Sequence, residues 1–141
     1  MAKPVPAPHG RRIMAYLIDG AVVLVLLLLA SPLLGLGNVD ERDRVRGAVL
    51  VYAVVAALHA AYIIPSWGLA GASLGKWICG LRVVGAHGRP PGIGRASLRW
   101  IVMLLLSWPL GVAWWPVLFR SDRRGLHDLA SVTRVVGREP D

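Results

Sequence analysis

The chain reads as an all-α integral membrane protein, and three observations carry that reading. Of its 141 residues 55% are hydrophobic and only 17% charged. The apolar residues fall in long runs where a soluble chain would spread them periodically. The basic residues stand beside those runs, as in membrane proteins that keep positive loops on the inner side. The predicted architecture has two full transmembrane helices, a third Pro-broken span or re-entrant hairpin, and two short segments able to pair as a two-stranded ladder at the cytoplasmic surface. A disordered cytoplasmic tail over residues 1–10, rich in Pro and Ala, is expected to precede a single membrane domain over 11–141.

The first predicted helix, residues 13–34, follows Arg11 and Arg12 and carries one acid, Asp19. At a rise of about 1.5 Å per residue it gives roughly 33 Å, enough to cross a bilayer core. An acid at mid-helix costs about 2.5 to 3.5 kcal/mol on insertion, which roughly a dozen Leu, Ile and Val residues offset. Asp19 is therefore tolerated, but it needs a partner. Pro32, Gly35 and Gly37 end the helix, and a charge-balanced loop with Asp40, Glu41 and Asp43 against Arg42, Arg44 and Arg46 follows.

The second helix is predicted over 45–65, with small Ala residues suited to close packing. Residues 70–95 are too polar and Gly-rich to span: a short amphipathic helix near 72–79, an extended 81–84 and a turn through 87–91 are expected. Four basic residues there (Lys76, Arg82, Arg89 and Arg95), with Arg99 just beyond, place this segment in the cytoplasm. The third apolar region, 98–119, is interrupted by Pro109, Gly111 and Pro116. Leu81-Arg82-Val83-Val84-Gly85 and Thr133-Arg134-Val135-Val136-Gly137 are nearly the same pentapeptide. If they pair, both ends of the third region face one side and it must be a hairpin broken near Trp108-Pro109, shielded by protein.

A net charge of +8 raises nucleic-acid binding, but the flanking positions of the basic residues explain it without a polyanion. Anionic lipid at the basic cytoplasmic face is the expected partner instead. Cys79 stands alone, so no intrachain disulfide can form, and no cofactor is expected. No nucleophile motif, metal cluster or nucleotide loop points to an enzyme. The six tryptophans mostly flank apolar runs and suit interfacial anchoring.

Five residues stand out as candidates for a transport site or a buried polar network: Arg12, Asp19, His59, Lys76 and Asp128. Arg12 and Asp19 lie near one helix face two turns apart, about 10 Å between Cα positions, too far for a sure direct pair. His59 and Asp19 would sit equally deep, about 9 Å from the cytoplasmic end of their helices. They could carry a proton as a pair, although a packing histidine is the plainer reading. Lys76, Arg99 and Arg124 are other cations able to fold back onto Asp19. His127-Asp128 could serve as a metal or base dyad, or cap and salt-bridge a surface element.

Together these residues resemble the RDD family of small bacterial membrane proteins. Arg12-Ile13-Met14-Ala15-Tyr16-Leu17-Ile18-Asp19 looks like its R-x-x-A-x-x-x-D opening. Ser73-Leu74-Gly75-Lys76 with Gly80-Leu81-Arg82-Val83-Val84 looks like its T-x-G-K…G-L-R-V segment, with Ser for Thr. Arg124-Gly125-Leu126-His127-Asp128 with Thr133 to Val136 looks like its closing G-L-H-D…T-x-V-V. The resemblance implies that Arg12, Asp19 and Asp128 are the name-giving Arg and two Asp; His59 is outside the pattern. It also implies transport of unidentified ligands, with cation/proton antiport attributed to some members. Two functions are therefore expected: a transporter of small solutes or cations with Asp19 protonatable, or an accessory or assembly protein with a structural Arg/Asp network. Either sits in the bacterial plasma membrane with a cytoplasmic N-terminus. A homo-oligomer or larger membrane complex is expected, because three short apolar elements cannot enclose a pathway.

Overall fold

The computed structural model describes residues 7–36, 43–85, 87–110 and 125–137. Helix α1 spans His9–Ala30 and α2 spans Arg44–Pro65, continuing into a π-helical turn over Ser66–Ala70. After α3 (Leu74–Ile78) and β1 (Leu81–Val84) come α4 (Ile93–Leu110), α5 (Leu126–Ala130) and β2 (Arg134–Gly137). Helices α1 and α2 are each long and apolar enough to cross a bilayer. Only 17% and 11% of their most apolar stretches are buried, so most of that apolar surface is uncovered by the described residues.

Helix α1 begins earlier than the apolar run implies. Pro8 supplies its fixed φ at the N-cap, and the start is held by the far end of the chain: the Ala7 N–H donates to the Val135 carbonyl at 3.4 Å. The end of the predicted tail is therefore ordered, and Ala7 is fully buried. The helix stops at Ala30, four residues short of the prediction, because Pro32 has no N–H to continue it and Gly35 takes up φ +63°. Buried Arg12, Ala15, Asp19 and Val23 recur every three or four residues, so they form one stripe.

That stripe meets α3, and the approach depends on Gly75, where a Cβ would run into the Ala15 carbonyl. Gly71 closes the π-helical turn at φ +70°, a conformation that favours glycine, and its carbonyl accepts from the Val83 N–H at 2.6 Å. The two near-identical pentapeptides do pair: β1 and β2 run antiparallel, from Leu81 opposite Gly137 to Val84 opposite Arg134. This ladder, α3 and α5 form a cap over one end of the α1, α2 and α4 bundle. The core runs through it from Ala15, Ile63 and Trp67 to Val83, Ala96 and Val135.

Helix α4 starts at Ile93, five residues before the predicted apolar region, and runs through Pro109 to Leu110. Pro109 thus lies within helix, and the break expected near Trp108-Pro109 is not seen as far as Leu110, the last described residue of this segment. Residues 111–124, where a return limb and the Arg120, Arg123 and Arg124 cluster would lie, are outside the described residues. So are residues 1–6 of the predicted tail and the acidic part of the first loop, 37–42.

Candidate functional site

Beneath the cap the structure gathers a buried ionic network from α1, α3, α4 and α5. Two carboxylates organise it. Asp19, 2% exposed, accepts from the Tyr62 hydroxyl at 2.9 Å, the Ser73 hydroxyl at 2.5 Å and the Gly75 N–H at 2.9 Å. Its charge partner is Lys76, whose Nζ lies 3.7 Å from Oδ2. The Gly75 N–H can point at the carboxylate because it is an unsatisfied donor in the first turn of α3.

Lys76 is itself buried, with its Nζ 4.3 Å from the centre of the Tyr16 ring and 4.5 Å from that of Trp67. Among the described residues its ammonium has no hydrogen-bond acceptor, so ring faces and one carboxylate replace water. Burial first, and the nearby Arg99 next, push its pKa down to about 7, against the upward pull of Asp19. Of the cations able to fold back onto Asp19, Lys76 is the one beside it, and the close α1–α3 approach allowed by Gly75 takes it inside.

Asp128, fully buried, is held by permanent cations. Arg99 Nη1 donates to its Oδ1 and also to the Thr133 hydroxyl at 2.7 Å. Arg12 Nη1 lies 3.7 Å from Oδ2, while Arg12 Nη2 donates to the Val135 carbonyl at 3.1 Å. The Gly125 N–H donates to Oδ2 at 3.1 Å, so the same carboxylate closes the first turn of α5. Burial alone would raise this carboxyl, but Arg99, with the Gly125 N–H and Arg12, holds it below the usual range. His127 is pushed down to about 3, by burial first and Arg99 next, and is neutral at pH 7. Its Nε2, 3.7 Å from Asp128, makes no charged pair there. Among the described residues no three metal-binding side chains gather. The capping and salt-bridging role expected of His127-Asp128 is seen for Asp128, in the interior and not on a surface element.

Arg12, Asp19, Lys76 and Asp128 thus converge, and His59 does not join their hydrogen bonds. Its Nδ1 accepts from the Trp100 Nε1–H at 3.3 Å, and the rings meet edge to face. Equal depth in two helices says nothing about rotation, and the Asp19 stripe of α1 turns toward α3. Arg99 is the residue underweighted by the sequence. Ala96, Arg99 and Met103 are buried at helical spacing, a stripe visible in the sequence that marks Arg99 as inward-facing. Trp67, expected at an interface, is fully buried between Lys76 and Arg99, with the Arg99 guanidinium 4.8 Å from its ring centre. Placing both cations against the indole ring desolvates them without leaving them in a purely aliphatic surrounding.

This network ties together the three segments that suggested a family. Residues 6–132 match the model of the RDD family. The chain is also 28% identical over 147 residues to the uncharacterized protein YxaI of Bacillus subtilis (strain 168), covering 93% of this chain and 97% of that protein. No solved structure matches it. The match spans both organising carboxylates and every cation bound to them, and the chain belongs to the RDD family.

Proposed function

We propose that this chain is a non-catalytic accessory or assembly protein of the bacterial plasma membrane, crossing it with α1 and α2 and with its N-terminus and cap in the cytoplasm. In this reading the network is a structural staple that fixes the cap on the bundle and presents basic residues to anionic lipid and to a protein partner or further copies of itself. No nucleic acid is involved. The observation that carries it is the saturation of Asp19 by three hydrogen-bond donors and a lysine. A carboxylate so held is fixed in place, with both oxygens engaged by neighbours of the fold.

A second reading, transport of small solutes or cations by an oligomer, is favoured by one observation. Lys76, 3.7 Å from Asp19, is pushed down to about 7 and so can take up or release a proton near neutral pH. Proton or sodium flux into proteoliposomes, wild type against Asp19→Asn, separates the two. The structural reading expects no flux from the wild type and a variant that unfolds at lower temperature. Flux in the wild type, lost in a variant as stable as the wild type, would establish transport.

A further inference from the structure

Beside the network, but opening outward, a cleft of about 500 Å³ lies between the end of α2, α3 and β1. Its walls include the hydroxyls of Tyr62, Ser66 and Ser73, the guanidinium-bearing Arg82, and apolar Leu74 and Trp77. We propose that this cleft is a headgroup site for phosphatidylglycerol, an anionic phospholipid whose headgroup joins one phosphate to a glycerol diol.

The hydroxyl hydrogens are already committed inward. Those of Tyr62 and Ser73 go to Asp19, and that of Ser66 goes to the Tyr62 carbonyl at 2.6 Å. What these oxygens still offer the cleft is lone pairs, most fully on Ser66, since Tyr62 also accepts from the Leu74 N–H and Ser73 from the Trp67 Nε1–H. The charged donor is Arg82, the one exposed residue of β1. The cleft therefore suits a ligand with an anion for Arg82 and hydroxyl donors for the acceptor oxygens. Phosphatidate lacks the hydroxyls, and phosphatidylcholine has neither hydroxyls nor a net negative charge.

The bilayer is the source that the surroundings favour. Trp77 is 61% exposed, and Leu74 and Ile78 beside it are also exposed, which gives α3 an apolar outer face. It packs on α1, where Ile13, Met14 and Leu17 are exposed as well. That arrangement suits a short helix lying at the headgroup boundary, with acyl chains along Trp77 and the phosphate toward Arg82. The site rests on the membrane reading proposed above.

The test is native mass spectrometry of the full chain released from detergent, with phosphatidylglycerol, phosphatidate or phosphatidylcholine added. Phosphatidylglycerol is expected to bind more tightly than either of the others. Loss of one charge-assisted contact in Arg82→Ser should weaken it about tenfold, with Arg82→Lys close to wild type. Ser66→Ala should weaken phosphatidylglycerol about threefold and leave phosphatidate unchanged. Arg89→Ser, beyond β1, should change binding less than about twofold, as a contact outside the site. Equal weakening by Arg82→Ser and Arg89→Ser would reduce the site to a diffuse basic face and overturn it. Free glycerol phosphate binding as tightly as the lipid would overturn the bilayer as source. A chain that stays soluble without detergent would overturn the membrane reading together with the site. A detergent-requiring chain in which Arg82→Ser binds like wild type would overturn the site alone.

Discussion

The two buried carboxylates share a cap and a degree of burial, and they are stabilised by opposite means. Asp128 relies on two guanidinium groups that hold their charge at any accessible pH. Asp19 relies on neutral donors from Tyr62, Ser73 and Gly75, with a single lysine alongside. Among the described residues of the network, Arg12, Lys76 and Arg99 give three cations against these two carboxylates. The excess proton sits where it leaves most easily, on Lys76. A network can thus be rigid at one end and adjustable at the other, depending only on whether the cation is arginine or lysine.

Replacing Asp128 by Asn should break this arrangement most severely. Two guanidinium groups would be left in the interior with no way to discharge, which costs on the order of 3 to 5 kcal/mol for a broken buried pair. Chemical unfolding in detergent should show that loss, and a smaller loss than for Asp19→Asn would reverse the ranking of the two sites. Asp19→Asn should cost about 1 to 3 kcal/mol, the range for disturbed buried hydrogen bonds, because Lys76 can release its proton when its counter-charge goes.

The lysine end also carries a pH signature. Lys76 has its pKa lowered from 10.5 to about 7 in the fold, so between those values the unfolded chain holds the extra proton. Stability should therefore rise as pH increases from about 7 toward 10.5, with the burial penalty fully present below that window. Lys76→Met should flatten the rise in unfolding midpoint, and an unchanged slope would show that another group titrates there. At the arginine end Asp128 has a lowered pKa, so its contribution is present above its ordinary value of 3.8 and lost as acid protonates it in the fold. The smallest effect is expected at Val132, which holds φ +52° just before Thr133. A β-branched residue is strained in that conformation, so Val132→Gly should raise stability by about 0.5 to 1 kcal/mol at the arginine end. A fall in unfolding midpoint would mean that the exposed side chain contributes more than its backbone costs.

Element types were largely legible because each had a local cause. Pro32 follows the end of α1, Pro65 marks where α2 passes into its π-helical turn, and the repeated Leu81 to Val84 and Arg134 to Val136 segments had backbone groups that a ladder could satisfy without water. Asp19 was legible as a buried polar residue because it is a charge inside apolar sequence, whereas Arg12, Lys76 and Asp128 were legible through the three motif segments they belong to. Their pairing was not. Which cation meets which acid depends on helix rotation and on Gly75 letting two backbones touch, and neither leaves a periodic trace. Arg99 and Trp67 were read as flanking and interfacial because single positions beside an apolar run look alike whether they face headgroups or a protein interior. His59 shows the converse, a residue at the right depth turned toward Trp100.

The Val135 carbonyl accepts from both the Ala7 N–H and Arg12, so residues near the two ends of the chain meet at one oxygen. During synthesis this gives the two sites different dates of completion. Among the described residues the partners of Asp19 have all been made once residue 76 is joined, whereas the contacts of Arg12 with Asp128 and Val135 come later. The lysine site can therefore dock α3 on α1 while the ribosome is still at work, and the arginine site acts as the late latch. A nascent chain halted between them would have Arg12 without the Asp128 and Val135 contacts that the finished fold supplies.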